Sequence, residues 1–452
     1  MSGDRLFGTD GVRGVANVEP MTPETVTRLG RAIAALCARK GGAGRIVIGR
    51  DTRLSGAMLE AALAAGMASA GAEVLLAGEL PTPAVALLVR TAGADAGAVV
   101  SASHNPFADN GVKLFGADGF KPSEDDERDI EALVGGTAAP EKPRTGEAIG
   151  RIRPLADGGV GYKRFLLESL PRGFRLDGVK VVIDCANGAA HRVGPEVFEG
   201  LGATVSAIGS APDGTNINRE CGALYPAALQ AAVREQQADL GVALDGDADR
   251  VVLVDNQGAV VDGDEILAVL TEARQRDGKL ASGAIVGTVM TNMGLEVLLR
   301  TRNLTLLRAP VGDRYVVEEM RRSGATLGGE PSGHIVLLDQ HTTGDGLLAA
   351  LAVCRVMCDS GRSLAELRAT MTRFPQVLLN VHVEKRRELG ELAELQATIG
   401  RVEQALDGRG RVLVRFSGTE SLVRVMVEGE SEEAVKAHAA EIAHVVEREL
   451  KA

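Results

Sequence analysis

The sequence has no excess of basic residues. Its 452 residues contain 50 lysines and arginines against 61 aspartates and glutamates, which gives a net charge of −11. A general nucleic-acid binder must neutralise many phosphates, and no basic excess is available for this. We therefore expect no nucleic-acid partner, while a local basic pocket for a small phosphorylated ligand stays compatible with the composition.

Cysteine pairs and long hydrophobic runs are also missing. The five cysteines form an odd set without a Cys-x-x-Cys pair, which is typical of a reducing cytosol rather than of a disulfide framework. No stretch is long and apolar enough to span a bilayer, and the first residues lack the layout of a signal peptide. The sequence thus predicts a cytoplasmic protein with no membrane partner.

Two common catalytic motifs do not occur. The absence of a Walker Gly-x-x-x-x-Gly-Lys-Ser/Thr motif argues against a nucleotide P-loop, and no His-Glu-x-x-His offers a zinc site. What the chain has instead is a series of short polar loops beside apolar runs. Three blocks of alternating strand and helix patterns each reach such a loop, which predicts three similar α/β domains. A smaller α+β module follows from about Phe374.

The first of these loops is the strongest candidate for a nucleophile. The apolar run Ala98–Val100 ends abruptly, and Pro106 prevents regular continuation, so Ser103 is predicted to lie in a loop at the end of a buried strand. Ligands gather at such strand ends in α/β sheets. A plain Ser/Asn turn is the alternative. The Asn110–Lys113 stretch is predicted to be a turn that delivers Lys113 to this loop, unless Lys113 is an ordinary surface lysine.

A second loop alternates aspartates at positions 245, 247 and 249 directly after an apolar strand. In extended backbone these three carboxylates would point to one side, and crowded like charges need a cation. Hard oxygen ligands favour Mg²⁺. An EF-hand is excluded, because Arg250 stands at the glycine position and Asn256 at the position of the bidentate glutamate.

Two further loops carry groups suited to a phosphorylated sugar. Glu330 and His334 offer a carboxylate for sugar hydroxyls and an imidazole for proton transfer, although a lone histidine is more often structural. The stretch Arg415–Glu420 resembles a phosphate cradle, because it combines a forked donor, hydroxyls and a glycine, with Arg424 on the next strand. A hairpin turn with a surface arginine is the alternative. Together with a presented serine and a metal site, these parts favour phosphoryl transfer.

Five motifs in this order resemble the α-D-phosphohexomutase family over nearly the whole chain. They are Gly8–Gly14 (Gly-Thr-Asp-Gly-Val-Arg-Gly), Ser101–Pro106 (Ser-Ala-Ser-His-Asn-Pro), Asp245–Arg250, Gly329–His334 and Arg415–Glu420. The Thr-Asp after Gly8, the Ser-Ala before Ser103 and the stretch Thr342–Gly346 resemble the glucosamine subgroup more than the glucose and mannose subgroups. Local departures at Pro331, Phe416, Ser421 and the Cys221–Leu224 stretch leave every proposed catalytic group in place.

The resemblance implies a fold of three similar α/β domains with mixed sheets and a smaller C-terminal α+β domain around a central cleft. We expect these domains at residues 1–155, 156–256, 257–370 and 371–452. They would carry, in turn, the phosphoserine loop, the metal site, the sugar-binding loop and the phosphate-binding loop. A homodimer is one expected assembly, and the sequence does not fix the oligomeric state.

The resemblance also implies the reaction and its cofactors. Phosphorylated Ser103 would convert glucosamine 6-phosphate, through a hexosamine 1,6-bisphosphate that also acts as primer, into glucosamine 1-phosphate for UDP-N-acetylglucosamine synthesis. One Mg²⁺ ion would bind Asp245, Asp247, Asp249 and the seryl phosphate. Catalytic roles are implied for Ser103, His104, Lys113, Arg13 and His334, with Arg13, Lys113 and His334 as proton-transfer candidates. Substrate-binding roles are implied for Glu330, Ser332, Arg250, Arg415, Ser417, Gly418, Thr419 and Arg424.

Two alternatives stay open at this point. One is a mutase that prefers glucose or mannose phosphates. The other is a catalytically silent phosphosugar-binding protein, although such a protein would be expected to have lost Ser103 or one of the aspartates, and neither is lost.

Overall fold

The computed structural model describes residues 5–8, 10–137, 144–385, 387–417 and 421–450. The chain divides into two compact units, residues 1–290 with 307–370, and residues 291–306 with 371–452. None of the helices in the described ranges combines the length and the apolar character that a membrane span requires.

The first α/β domain is built on a six-stranded sheet of order β1-β5-β4-β2-β3-β6. The four strands β4, β2, β3 and β6 are adjacent in the sheet and run parallel to one another. Strand β5 is antiparallel to both of its neighbours, β4 and β1. The strands are β1 (Val12–Val15), β2 (Arg45–Arg50), β3 (Glu73–Glu79), β4 (Ala96–Val100), β5 (Asp109–Gly116) and β6 (Ile152–Pro154). The helices are α1 (Pro23–Arg39), α2 (Gly56–Ser69), α3 (Thr82–Thr91) and α4 (Glu124–Val134).

The second and third domains follow the same scheme with smaller sheets, of order β11-β10-β9-β7-β8 and β13-β12-β14-β15. The second contains α5 (Gly158–Glu168), β7 (Lys180–Asp184), α6 (Val193–Gly200), β8 (Thr204–Ile208), α7 (Ala227–Gln236), β9 (Leu240–Leu244), β10 (Val251–Asp255) and β11 (Val260–Val261). The third contains α8 (Gly263–Arg276), β12 (Ala284–Thr288), α9 (Met293–Thr301), β13 (Thr305–Ala309), α10 (Asp313–Ser323), β14 (Leu327–Gly329), β15 (Ile335–Leu337), α11 (Gly346–Ser360) and α12 (Leu364–Arg368).

One connection recurs in all three domains and positions the functional loops. In each, a buried strand ends in a polar loop and the chain returns as an antiparallel neighbour: β4 to β5, β9 to β10, and β14 to β15. The Ser103, Asp245 and Glu330 loops occupy these three equivalent places. The prediction of three similar α/β domains with mixed sheets is therefore confirmed.

The C-terminal module is a three-stranded antiparallel sheet of order β16-β18-β17 with two helices. Its elements are β16 (Gln376–His382), α13 (Ala393–Leu406), β17 (Gly410–Phe416), β18 (Leu422–Gly429) and α14 (Glu432–Leu450). Alternate valines of β18 pack against the apolar side of α14, a pattern that buries one face of the sheet. Ser431 caps α14, since its Oγ accepts a hydrogen bond from the Ala434 amide at 3.3 Å.

One local prediction is wrong. Asn110 and Gly111 do not form a turn but belong to β5, which crowds its neighbours so closely that a Cβ at Gly111 would lie 2.7 Å from the Ser101 carbonyl oxygen. The turn occurs earlier, where the Asp109 amide donates to the Pro106 carbonyl at 3.1 Å. The expected boundary after residue 256 lies between β10 and β11, two strands that pair with each other.

Candidate active site

Ser103 is fully buried in the loop between β4 and β5, with a left-handed φ of +51°. Its Oγ donates a hydrogen bond to Asp245 Oδ2 at 2.5 Å and lies 3.3 Å from His104 Nδ1. Its amide donates to Ser101 Oγ at 2.9 Å, and that hydroxyl donates to Asp51 Oδ2 at 2.6 Å. The serine side chain thus faces the acidic loop of the second domain.

The three aspartates converge, but not by the route that the sequence analysis assumed. The Asp245–Arg250 segment is a turn between β9 and β10 rather than extended backbone, and Ala248 has a φ of +57°. The Ala248 amide donates to the Asp245 carbonyl at 3.0 Å, which closes the turn. As a result one carboxylate oxygen of each of Asp245, Asp247 and Asp249 lies within 4.8 Å of the others.

Lys113 is the counter-ion of this cluster. It is 1% exposed, and its Nζ lies 2.7 Å from Asp247 Oδ2, 2.9 Å from Asp249 Oδ2 and 3.1 Å from Asp10 Oδ2. Burial alone would lower its pKa, but Asp10, Asp247 and Asp249 raise the pKa of Lys113 well above its usual range. Arg13 also contacts Asp10. The alternative of a solvated surface lysine is wrong.

The donor set fits a divalent cation. All three carboxylates are nearly fully buried, and Oδ1 of Asp247 and Oδ1 of Asp249 accept no hydrogen bond from the described residues. Burial and the charges of Asp249 and Asp247 raise the pKa of Asp245 well above its usual value. A bound Mg²⁺ ion would coordinate these buried carboxylate oxygens, which otherwise lack a hydrogen-bond donor.

His334 lies on the other side of the cluster, in the loop between β14 and β15. Its Nδ1 is 3.8 Å from Asp249 Oδ1, and its Nε2 accepts a hydrogen bond from the Gly344 amide at 3.1 Å. With Nε2 accepting, the proton of the neutral ring is assigned to Nδ1, which faces Asp249. Burial alone would lower its pKa, but Asp249, Asp313 and Glu330 raise the pKa of His334.

Sequence reasoning missed three residues of this site, Lys121, Asp313 and Thr82. Lys121 Nζ bridges Asp10 Oδ1 at 2.6 Å and Asp313 Oδ1 at 2.7 Å, so it joins the first domain to the third. Thr82 donates its hydroxyl to Asp247 Oδ2 at 2.5 Å and its amide to the Asp247 carbonyl at 2.9 Å. Thr82 and Asp313 each begin a helix, and Lys121 lies in the connection between β5 and α4, positions that many polar residues share.

The remaining predicted residues of the first unit lie in the same region with less burial. Glu330 is 7% exposed, and its Oε1 accepts a hydrogen bond from the Gly312 amide at 3.0 Å. Ser332 is exposed on the same loop. The Arg250 Nε lies 3.9 Å from Asp249 Oδ1. Burial, with Arg250 nearby, lowers the pKa of His104 to about 4, so its ring is neutral at pH 7.

The described residues of the predicted phosphate cradle lie in the second unit. Arg415 on β17 pairs directly with Arg424 on β18, so two guanidinium groups stand opposite each other in the ladder. Burial and the charge of Arg424 lower the pKa of Arg415. Ser417 is 2% exposed and follows the end of β17. Gly418 and Thr419, also predicted here, lie outside the described residues. Like charges placed opposite each other are unfavourable without an anion between them.

Four family models match consecutive parts of the chain, each described as a domain of phosphoglucomutase/phosphomannomutase. They cover residues 4–140 (alpha/beta/alpha domain I), 166–258 (domain II), 262–374 (domain III) and 378–445 (C-terminal domain).

Curated relatives and solved structures agree with these models. The phosphoglucosamine mutase of Syntrophotalea carbinolica is 50% identical over 99% of this chain and 98% of its own length. That of Desulfovibrio desulfuricans is 50% identical over 99% of this chain and 100% of its own length. A putative phosphomannomutase from Thermus thermophilus superposes with a TM-score of 0.79 at 28% identity, covering 99% and 100% of the two chains. An Aspergillus fumigatus N-acetylphosphoglucosamine mutase, solved with GlcNAc-6P and magnesium, has the same fold with a TM-score of 0.71 at 19% identity, covering 98% of this chain and 95% of its own.

Proposed function

The chain belongs to the phosphoglucomutase/phosphomannomutase family, and from this premise we propose that it is a phosphoglucosamine mutase. It interconverts glucosamine 6-phosphate and glucosamine 1-phosphate. The observation that carries the proposal is the Ser103 hydroxyl, buried 2.5 Å from a carboxylate of the acidic triad. A serine in that position can carry a phosphoryl group beside a metal site.

We propose that Ser103 works as a phosphoserine. Its phosphoryl group passes to the C1 oxygen of glucosamine 6-phosphate, which breaks the seryl O–P bond and forms the sugar O–P bond. The C1 hydroxyl proton passes, by way of the proton-transfer groups, to the seryl oxygen, which becomes a hydroxyl. The product is the 1,6-bisphosphate. The bisphosphate then reorients in the site, so that its 6-phosphoryl group faces Ser103. That group passes to Ser103, and glucosamine 1-phosphate leaves.

The acidic triad would hold Mg²⁺ together with the seryl phosphate. When bound, this ion would offset negative charge on the phosphoryl oxygens. The chain's own residues then fix the geometry. Thr82 holds the Asp247 carboxylate, and Lys113 balances Asp247 and Asp249 from the side of the first domain.

The other loops bind the substrate in this proposal. Glu330 and Ser332 take sugar hydroxyls, and Arg250 lies beside them. Arg13, Lys113 and His334 are the proton-transfer candidates, with His104 next to the carrier serine. The facing pair Arg415 and Arg424, with Ser417, Gly418 and Thr419, grips the phosphate that does not react, in either orientation of the sugar.

In this proposal each of the four domains contributes one part of the site. We place them at residues 1–155, 156–261, 262–370 and 371–452, moving the second boundary to include β11. The first carries Ser103, the second the acidic triad, the third the Glu330 loop and the fourth the paired arginines.

Substrate preference is tested by steady-state kinetics on the phosphorylated enzyme. We expect kcat/KM for glucosamine 6-phosphate to exceed that for glucose 6-phosphate and mannose 6-phosphate, each measured with its matching 1,6-bisphosphate and Mg²⁺. A preference for the glucose or mannose substrate would overturn the assignment. Absence of turnover with all three, in protein whose Ser103 carries phosphate by intact mass, would indicate a binding protein.

A further inference from the structure

Arg53 is a buried arginine that the sequence analysis did not single out, three residues after the end of β2. Its side chain is fully buried, and its Nε donates to Asp51 Oδ2, itself fully buried, at 2.8 Å. A guanidinium without water must find a protein acceptor for each of its five N–H groups. One of the five is used on Asp51.

The other four N–H groups have acceptors in the loop that carries Ser103. Nη2 donates to the carbonyl oxygens of Ser103 and Asn105, each at 2.9 Å. Nη1 donates to the Asp109 carbonyl at 3.1 Å and to that of Pro106. Four carbonyls within seven consecutive residues therefore point at one rigid, planar cation.

A residue of the second domain also forms hydrogen bonds with this loop. Asn218 Nδ2 donates to the Ser103 carbonyl at 2.8 Å and to the Asn105 carbonyl at 3.1 Å. Both carbonyls are thus shared with Arg53. Gly246, between two of the triad aspartates, allows this approach, because a Cβ there would lie 2.6 Å from the Ser103 carbonyl oxygen and 2.9 Å from Asn218 Nδ2.

We propose that Arg53 and Asn218 are positioning residues that hold the Ser103 carbonyl from two sides and so keep the Ser103 side chain aimed at the acidic triad. The inference rests on the proposed function. Arg53 and Asn218 both bind the Ser103 carbonyl oxygen, and the Ser103 φ is +51°. In this backbone conformation the Ser103 Oγ points to Asp245. A phosphoryl carrier must return to the same position in each half of the cycle, and an error of about 1 Å costs about 100-fold in rate.

A residue that only stabilises the fold would behave differently from a positioning residue. Fold destabilisation reduces the amount of native enzyme without changing the rate of each native molecule. Loss of positioning lowers the rate at which native molecules exchange the phosphoryl group. It leaves the KM for the sugar phosphate nearly unchanged, because other loops bind the sugar.

The test uses Arg53→Lys, which keeps the charge beside Asp51 but cannot reach four carbonyls, and Asn218→Ala, which removes one donor from each shared carbonyl. We expect kcat to fall about 100-fold in R53K and about 10-fold in N218A. KM should change by less than about threefold, and the Mg²⁺-induced rise in Tm should be retained. The matched control is Arg50→Lys, since Arg50 pairs with Glu60 and Glu79 outside the loop; its kcat should equal that of the wild type.

A direct readout separates this proposal from the proposed function. The rate at which a hexose 1,6-bisphosphate phosphorylates Ser103, followed by intact mass, should fall in both variants in parallel with kcat, whichever sugar the wild type prefers. Unchanged phosphorylation rates in folded N218A and R53K would overturn the positioning role. If the phosphorylation rate of N218A falls only as far as its lower Tm reduces the amount of folded protein, the positioning role is overturned as well. This second criterion holds even if R53K fails to fold.

Discussion

Ser103 and Asp245 are 142 positions apart in the chain, yet the serine hydroxyl donates to the aspartate carboxylate at 2.5 Å. The two residues lie in loops that follow equivalent strands, β4 and β9, of two domains with the same scheme. The proposed carrier and the proposed metal site therefore come from two domains, and this hydrogen bond brings them together.

Removal of the Ser103 hydroxyl should abolish turnover. We expect Ser103→Ala to lower kcat by at least about 10³-fold, because no other residue replaces the phosphoryl carrier. The coupled reaction with glucosamine 6-phosphate measures this, and intact mass should show that the variant no longer gains a phosphoryl group. Retention of more than a tenth of wild-type kcat would contradict a covalent mechanism.

The Lys113 side chain should stabilise the metal-free protein and compete with the ion. Lys113→Met leaves Asp10, Asp247 and Asp249 buried without their shared cation, and we expect a loss of about 3–5 kcal/mol in the free energy of unfolding. Added Mg²⁺ should then raise Tm more in the variant than in the wild type.

Lys163→Met is the control for this experiment, because Lys163 forms an exposed pair with Glu196. Its loss should change stability by less than about 1 kcal/mol. An equal Mg²⁺ response in wild type and Lys113→Met would show that Lys113 does not share the metal's carboxylates.

The sequence predicted the buried strands that lead into the Ser103 and Asp245 loops, because apolar runs that stop at polar residues mark strand ends directly. It did not predict how the triad converges. The alternation of aspartates at positions 245, 247 and 249 suggested extended backbone. In the structure the chain turns at Ala248, which has a left-handed conformation. A local pattern cannot reveal that the next strand returns antiparallel.

The residues missed from sequence share one property. Lys121, Thr82, Arg53 and Asn218 act through partners more than 40 residues away, in three cases in another domain. Their side chains are ordinary in local context, and only the packing of the domains assigns them partners. Lys113 shows the same limit, since its burial among carboxylates was one of two alternatives that the sequence left open.

The facing arginines of the hairpin should act on phosphate affinity rather than on stability. In Arg415→Gln one of two opposed guanidinium groups is lost, so we expect KM for glucosamine 6-phosphate to rise about 10- to 100-fold, the range for one charge-assisted hydrogen bond. Tm should stay the same or increase, because repulsion across the ladder is relieved. Arg409→Gln, at an exposed position outside the pair, should leave KM unchanged. An unchanged KM in Arg415→Gln would contradict the cradle.

Asp345 should make stability depend on pH in a defined window. It is the N-cap residue of α11, where its Oδ1 accepts hydrogen bonds from Tyr162 Oη at 2.9 Å and from the Leu348 amide at 3.0 Å. Burial, which outweighs these bonds, raises the pKa of Asp345 from 3.8 to about 7. The folded protein thus binds a proton that the unfolded chain releases near pH 4. This contribution to stability is full below about pH 4 and is lost as pH rises to about 7.

Replacement by asparagine should remove that dependence, because the amide mimics the protonated carboxyl and keeps both acceptor contacts of Asp345. We expect Asp345→Asn and the wild type to have similar stability at pH 4.5, and the variant to become more stable by on the order of 3 kcal/mol at pH 8. Urea unfolding from pH 4.5 to 8 measures the difference. Tyr162→Phe, which removes one donor to the carboxylate, should move the midpoint of this pH dependence to higher pH. A stability difference between Asp345→Asn and wild type that is constant across the range would show that Asp345 does not titrate there as proposed.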